Sequence, residues 1–277
     1  MKILKTVAQA RLYTESLRRE GKSLGLVPTM GFLHVGHMSL VSACREDNDA
    51  SCVSIFVNPI QFGPNEDFSS YPRNFERDVA LLEDAQVDAV FCPDSSEMYT
   101  QGFATAVSVK GLSDCLCGAS RPGHFDGVCT VVSKLFGIIR PDNAYFGEKD
   151  YQQLLIIRRM VADLNLPLSI HGVPIVREKD GLALSSRNVY LSEVARKSAL
   201  SLSRSFELIE KNRHKSPHEV ISAVKTFIET HPLTEVDYIE FRDGETLETV
   251  EGLGAPFRAF IAVRVDGTRL IDNKRFV

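Results

Sequence analysis

The chain has 277 residues, 44% of them hydrophobic and 25% charged, with 32 basic side chains against 36 acidic ones and a net charge of −4. A chain of this length buries roughly three-quarters of its unfolded surface, which suits one large domain or two unequal ones and excludes disorder and fibres. The small acid excess also excludes a global positive field for nucleic acid or an anionic membrane, so an anionic ligand has to meet locally placed charge. From the N-terminus onward, no run approaches the ~20 apolar residues of a membrane span. Lys5 interrupts what would otherwise be the core of a signal peptide, and a cytoplasmic protein is expected.

From Ser23 short apolar runs alternate with amphipathic stretches: LGLVP, a helix through Leu40, SCVSIFVN, a loop, a helix near Arg77 to Ala85, and VDAVFCP. This βαβαβ pattern predicts an α/β fold with a parallel sheet covered on both faces, whose ligands bind at the carboxyl ends of the strands. Further on, FATAVSV reads as a strand, HFDGVCTVVSKLFGIIR as a helix stopped by Pro141, NAYFG as a strand, and DYQQLLIIRRMVADLN as a helix stopped near Pro167. After LSIHGVPIV the character changes. A long helix covers SEVARKSALSLSRSFELIEKNRHK, and a second begins at Ser216, with Pro217 and Glu219 completing a capping box. VDYIEFRDG and FRAFIAVRVDGTRLIDN then alternate like antiparallel strands, the last two joined at Asp266-Gly267. The expected division is a domain over 1–175 and a smaller C-terminal α+β domain over 176–277 that covers the active site.

Chemistry is sought first in the turn after the first of these strands, Pro28 to His37, where His34 and His37 straddle Gly36 at the opening of a helix. Helix N-terminal amides and two imidazoles, with Gly31 and Gly36 permitting close backbone approach, form a site for phosphate oxygens. Taken alone, His-x-x-His is also an ordinary βα turn. Zinc is disfavoured because a third ligand and the Glu of a His-Glu-x-x-His helix are missing.

The match is longer than two histidines. His34-Val35-Gly36-His37 resembles the HIGH signature of nucleotidyltransferases and class I aminoacyl-tRNA synthetases, in which the histidines contact the nucleotide's phosphates. PTMGFLHVGHMSL, SIFVNPIQFGPNEDFSSYPR, RPGHFDGV, YFGEKDYQQL and VPIVREKDGLALSSRN, in this order, resemble the pantothenate synthetase family, ligases that join pantoate to β-alanine using ATP. The resemblance spans most of the first two-thirds of the chain; in the tail only TRLIDN fits. It implies a Rossmann-like parallel sheet of the nucleotidyltransferase type and attack of a carboxylate on the α-phosphorus of Mg-ATP. Pyrophosphate then leaves, and an amine displaces AMP. It also implies a homodimer, with no nucleic-acid or membrane partner. Mg²⁺ is expected mainly on phosphate oxygens, so no protein ligand is named.

Residue by residue, the resemblance implies that Met30, Gly31, Phe32, Leu33, His34, Val35, Gly36 and His37 meet ATP, as do Gly147, Glu148, Lys149, Asp150, Val176, Leu184, Ser185, Ser186 and Arg187. His34, His37, Lys149 and Arg187 are expected to be catalytic, the last two because charge gathers as pyrophosphate leaves. Ser185 and Ser186 add hydroxyl donors beside Arg187, a loop that by itself also reads as a solvated linker. Gln61, an uncharged amide with both donor and acceptor, contacts pantoate in the family, with Gln153 as companion, and the two serve pantoate and β-alanine here. Gln61 also reads as a polar loop residue, and Asp150-x-x-Gln153 as a capping box opening a helix; both are expected, with Asp150 capping while Gln153 faces the pocket. Arg121 and His124 lie in a Gly/Pro-rich loop that either closes over phosphates or is a structural turn. Six cysteines without a Cys-x-x-Cys pair are expected as packed thiols, and Cys115, Cys117, His124 and Cys129 lack zinc spacing. The basic run 211–215 is read as a solvated turn. The rivals are a nucleotidyltransferase that stops at a nucleotide adduct and a non-catalytic nucleotide sensor. An RNA-binding synthetase remnant is disfavoured by the charge of −4.

Overall fold

The computed structural model describes residues 1–64 and 66–277; Asn65, inside the SIFVNPIQFGPNEDFSSYPR block, lies outside the described residues. A short strand and helix, β1 (Lys2–Leu4) and α1 (Val7–Arg19), open the chain ahead of the alternating pattern. Then follow β2 (Leu24–Thr29), α2 (Val35–Asp47), β3 (Ala50–Ile55), α3 (Phe75–Asp84), β4 (Ala89–Phe91), α4 (Ser95–Met98), α5 (Leu116–Ser120), α6 (His124–Ile139), β5 (Asn143–Gly147), α7 (Tyr151–Asp163) and β6 (Ser169–Val173). The six strands form one parallel sheet in the order β1-β4-β3-β2-β5-β6.

Successive strand residues go to opposite faces, and the sequence fills both. Leu26, Cys52, Phe91 and Phe146 pack with α1, α6 and α7, while Val27, Val53, Val90 and Tyr145 pack with α2 and α3. Strand order reverses at β2, which has β3 on one side and β5 on the other. The turns leaving β2 and β5 therefore flank the crevice where such sheets take ligands.

The C-terminal part is a smaller α+β unit. Helices α8 (Glu193–Lys211) and α9 (Pro217–Glu229) pack on an antiparallel sheet, β7 (Thr234–Arg242), β8 (Phe257–Val265) and β9 (Thr268–Phe276), around their own apolar cluster. Asp266 (φ 50°) and Gly267 (φ 78°) make the two-residue hairpin turn between β8 and β9, both in the left-handed region that such a turn requires. The capping box at Ser216 and Glu219 is formed in both directions.

Two expectations need correction. Phe103–Val109 is not a strand: Val107 and Val109 pack into the core beside α6 instead of pairing with a neighbouring strand, and the Val107 N–H donates to Thr130 Oγ1 at 2.9 Å. Asp150 precedes α7 but makes no side-chain cap; a 3₁₀ turn, Glu148–Asp150, runs into the helix, and the carboxylate lies 3.9 Å from Lys149 Nζ.

Candidate active site

The turn between β2 and α2 is held by one acid that the motif does not contain. Asp78, 1% exposed on the inner face of α3, accepts from the Phe32 and Leu33 N–H groups at 2.7 Å each. Burial pushes its carboxyl up, against the pull of these two amides. The clamp lets the chain take two successive left-handed residues, Gly31 (φ 83°) and Phe32 (φ 51°), and the Arg77 guanidinium covers the Phe32 ring.

His34 is the N-cap of α2. Its Nδ1 accepts from the Gly36 N–H at 3.1 Å, and His37 Nδ1 accepts from the His34 N–H at 3.3 Å. With Nδ1 an acceptor on both rings, the network assigns the proton to Nε2, and among the described residues neither Nε2 has a protein partner. Burial, then the charges of Lys149 and Arg77, lowers His34 to about 4. Burial, then His34 and Lys149, lowers His37 to about 3. At neutral pH the rings, 4.1 Å apart, are uncharged N–H donors rather than cations.

A cleft of about 240 Å³ opens beside them. Met30, His34, Gly36, His37, Gln61, Gly147, Lys149, Asp150, Gln153, Val176, Leu184, Ser185, Ser186 and Arg187 line it, so the loops after β2, β3, β5 and β6 meet at one cleft. Gly31, Phe32, Leu33, Val35 and Glu148 do not line it. Leu33 is fully buried in the core, Val35 is exposed, and Glu148 faces the guanidinium of Arg258 at 3.9 Å.

Gln61 sits in a 3₁₀ turn, Pro59–Gln61, pressed against α6. A Cβ on Gly127 would stand 2.5 Å from the Ile60 carbonyl oxygen and 2.6 Å from Gln61 Cα, so glycine is what allows this approach. Asn58 braces the turn, donating to Gln61 Oε1 and to the Gly127 carbonyl at 3.0 Å each and accepting from the Tyr99 hydroxyl at 2.6 Å. Among the described residues Gln61 Nε2 donates only to the soft Sδ of Met30, at 3.0 Å, which leaves it a donor for a ligand.

The arginines are already engaged. Arg187 donates twice to Asp67, at 2.9 and 2.8 Å, over the ring of Tyr71, and Ser185 receives its backbone N–H. Arg121 grips both oxygens of Glu66 at 2.6 Å. Burial opposes the charge on Glu66, but the hydrogen bond and charge of Arg121 hold its carboxyl at about 2. His124 bridges Arg121 and the Gln61 carbonyl, at 2.9 and 2.8 Å, and burial keeps it neutral with a value of about 4. The Arg121–His124 loop thus lines the cleft and also ties down Gln61 and Glu66. Asp78, Asn58, Glu66 and Asp67 were absent from the expected site; of these only Asp78 left a sequence trace, an acid four residues before Leu82 on the apolar face of its helix.

Cys129 is buried in α6, Cys117 packs against Tyr238 and Arg269, and His124 uses both ring nitrogens, so these side chains do not converge on an ion. Among the described residues no group of three or more His, Cys, Asp or Glu side chains is arranged to hold a metal, and no helix is long and apolar enough to cross a membrane.

The same fold and much of the same sequence recur in known proteins. The chain is 54% identical over 276 residues to a pantothenate synthetase from Moorella thermoacetica, covering 99% of this chain and 98% of that one. It is 51% identical over 276 residues to another from Caldicellulosiruptor bescii, at the same coverage. The crystal structure of pantothenate synthetase from Thermus thermophilus superposes with a TM-score of 0.92 at 48% identity and 99% coverage of both chains. A pantoate-β-alanine ligase from Francisella tularensis, complexed with β-γ ATP and β-alanine, superposes at 0.83 with 34% identity, over 99% of this chain and 97% of that one. A sequence profile of pantoate-β-alanine ligase matches residues 2–275, which includes the C-terminal unit that the motifs barely reached, and the chain belongs to that family.

Proposed function

We propose that the protein condenses pantoate with β-alanine at the expense of ATP, through an enzyme-bound pantoyl adenylate. A carboxylate oxygen of pantoate bonds to the α-phosphorus as the bond to pyrophosphate breaks. The amine of β-alanine then attacks the acyl carbon, AMP leaves carrying that oxygen, and the amine's proton is released. The observation that carries this reading is one cleft lined by two neutral imidazoles with free Nε2–H groups, the cations Lys149 and Arg187, and the amides Gln61 and Gln153.

In this reading His34 and His37 donate to the α-phosphate and the bridging oxygen. Neutral donors suit that task, because they follow charge as it develops without first binding the substrate as a salt. Lys149 and Arg187 take the departing phosphates; for Arg187 this exchanges the Asp67 carboxylate for phosphate oxygens. Gly147, Val176 and Leu184 flank the nucleoside, Ser185 and Ser186 add hydroxyls, and Gln61 with Gln153 orients pantoate and β-alanine. Mg²⁺ fits as an ion carried on the nucleotide's phosphates, since Asp150 is the one carboxylate named in the expected site that reaches the cleft. We also propose residues 1–175 as the ATP and pantoate domain and 176–277 as a cover for it, in a cytoplasmic homodimer; the Asn273 contacts to the Glu148 and Lys149 carbonyls support the cover.

The test is isotopic. Pantoate labelled with ¹⁸O in its carboxylate should deliver label to AMP, and pyrophosphate should form before β-alanine is added, limited to about one turnover by exclusion of water from the adenylate. Label in inorganic phosphate with ADP as co-product would mean attack at the γ-phosphorus and would overturn the proposal.

A further inference from the structure

Asp272 and Asn273 stand side by side in β9, each only 3% exposed, in a strand whose Leu270 and Phe276 belong to the apolar core. Polar groups so deeply buried are costly unless bonded, and both are bonded to segments that carry the site: Asn273 to the first part of the chain, Asp272 to the segment just after it. The Asn273 side-chain amide donates at 2.9 Å to the carbonyl of Glu148 and at 2.9 Å to that of Lys149, while its oxygen accepts from Arg258. Arg258 lies 3.4 Å from the ring centre of Tyr151, the first residue of α7. Asp272 accepts both amino groups of Arg177, at 2.6 and 2.8 Å. Arg177 bridges to Ala183 in the turn that leads directly to Ser185, Ser186 and Arg187. One strand therefore grips, by the main chain in one case and by a half-buried ion pair in the other, the two segments that carry Lys149 and Arg187.

We infer that Asn273 is a positioning residue for Lys149, with Asp272 holding the Arg187 loop in the matching place. Asn273 touches no reacting atom. A neutral amide is required there because it gives one acceptor to a guanidinium and two N–H groups to carbonyls; a carboxylate would face those carbonyls with oxygen. The inference rests on the proposed role of Lys149 at the leaving phosphates, where a misplacement of about 1 Å costs up to 10²-fold in rate.

The experiment is a double-mutant cycle on enzyme-bound adenylate formation, measured by rapid quench with the full chain, Mg-ATP and pantoate. Asn273→Ala should lower the rate by roughly tenfold or more, with KM for pantoate changed by less than about twofold, and should cost less than about twofold further in a Lys149→Ala background. Asn273→Asp, which keeps the Arg258 contact, should behave alike and serves if the alanine variant is unstable. Equal fold-losses in both backgrounds, wild-type rates for both variants, or failure of both variants to unfold cooperatively would each overturn positioning in favour of a purely structural role. An unchanged rate for Lys149→Ala alone would bring down the role of Lys149 and this inference together, whereas additive losses would bring down the inference alone.

Discussion

At the scale of single residues, two histidines brace their own loop through Nδ1 and, in the proposed reading, serve the ligand through Nε2. In each ring Nδ1 is consumed by a backbone amide, so replacement removes a capping contact worth about 1 kcal/mol along with the Nε2–H donor. His34→Ala and His37→Ala should each fold, yet lower the adenylation rate on the order of 10² to 10³, the usual effect of removing a donor aimed at developing charge. Near wild-type turnover in both would sink the assignment. Gln61 works differently in the proposed reading, where its Nε2–H meets the hydroxy-acid and not the nucleotide. Gln61→Ala should raise KM for pantoate about tenfold or more and leave KM for ATP within about twofold, as expected where a buried amide loses one substrate's hydrogen bond. Equal losses for both substrates in separate titrations would make Gln61 structural.

At the scale of elements, the placement of that amide depends on how closely α6 approaches the Pro59–Gln61 turn. Gly127→Ala puts a Cβ against main-chain atoms that have no rotamer to escape into, so helix and turn must separate. The expected cost is about 1 to 3 kcal/mol in denaturant unfolding, with a higher KM for pantoate. A stability and KM within error of wild type would show the contact to be slack. The elements that carry the motifs were legible because their periodicities are strong and each ends at a Pro, a Gly or a cap. Phe103–Val109 was misread because alternation reports burial of one face, which packing beside α6 satisfies as well as membership of a sheet does. The N-terminal β1 and α1 went unassigned, although Ala10, Tyr13, Thr14 and Leu17 form a buried helical stripe there. Within the site, the loops at strand ends announced themselves through residue type. The clamps did not, because Asp78 reaches Leu33 across 45 residues and Asp67 reaches Arg187 across 120, and pairing at that separation leaves no local pattern.

At the scale of the whole molecule, a slightly acidic protein prepares a place for polyanions by pairing its site cations with neighbouring carboxylates and by keeping its site histidines uncharged. This arrangement fixes how stability depends on pH. In the unfolded chain each imidazole takes up a proton near its ordinary 6.5, whereas folded His34, His37 and His124 do so only at about 4, 3 and 4. Between those values the unfolded state binds more protons, so stability must fall as pH drops below about 6.5. Glu66 has the same sign in a lower window: its carboxyl, at about 2 when folded against 4.5 ordinarily, contributes stability that is lost only as pH falls below 4.5. Asp78, pushed upward by burial, has the opposite sign, because its folded carboxyl takes up a proton before the unfolded one does as pH falls. Denaturant melts between about pH 7.5 and pH 5 therefore read the histidines above the window in which Glu66 acts, and the midpoint should fall steadily across that interval. His124→Gln, which retains a donor for the Gln61 carbonyl and an acceptor for Arg121, should flatten the fall by removing one of the three sites. A wild-type midpoint that stays level from pH 7.5 to pH 5 would mean that the rings accept protons in the folded state, and the neutral-donor role of His34 and His37 would fall with it.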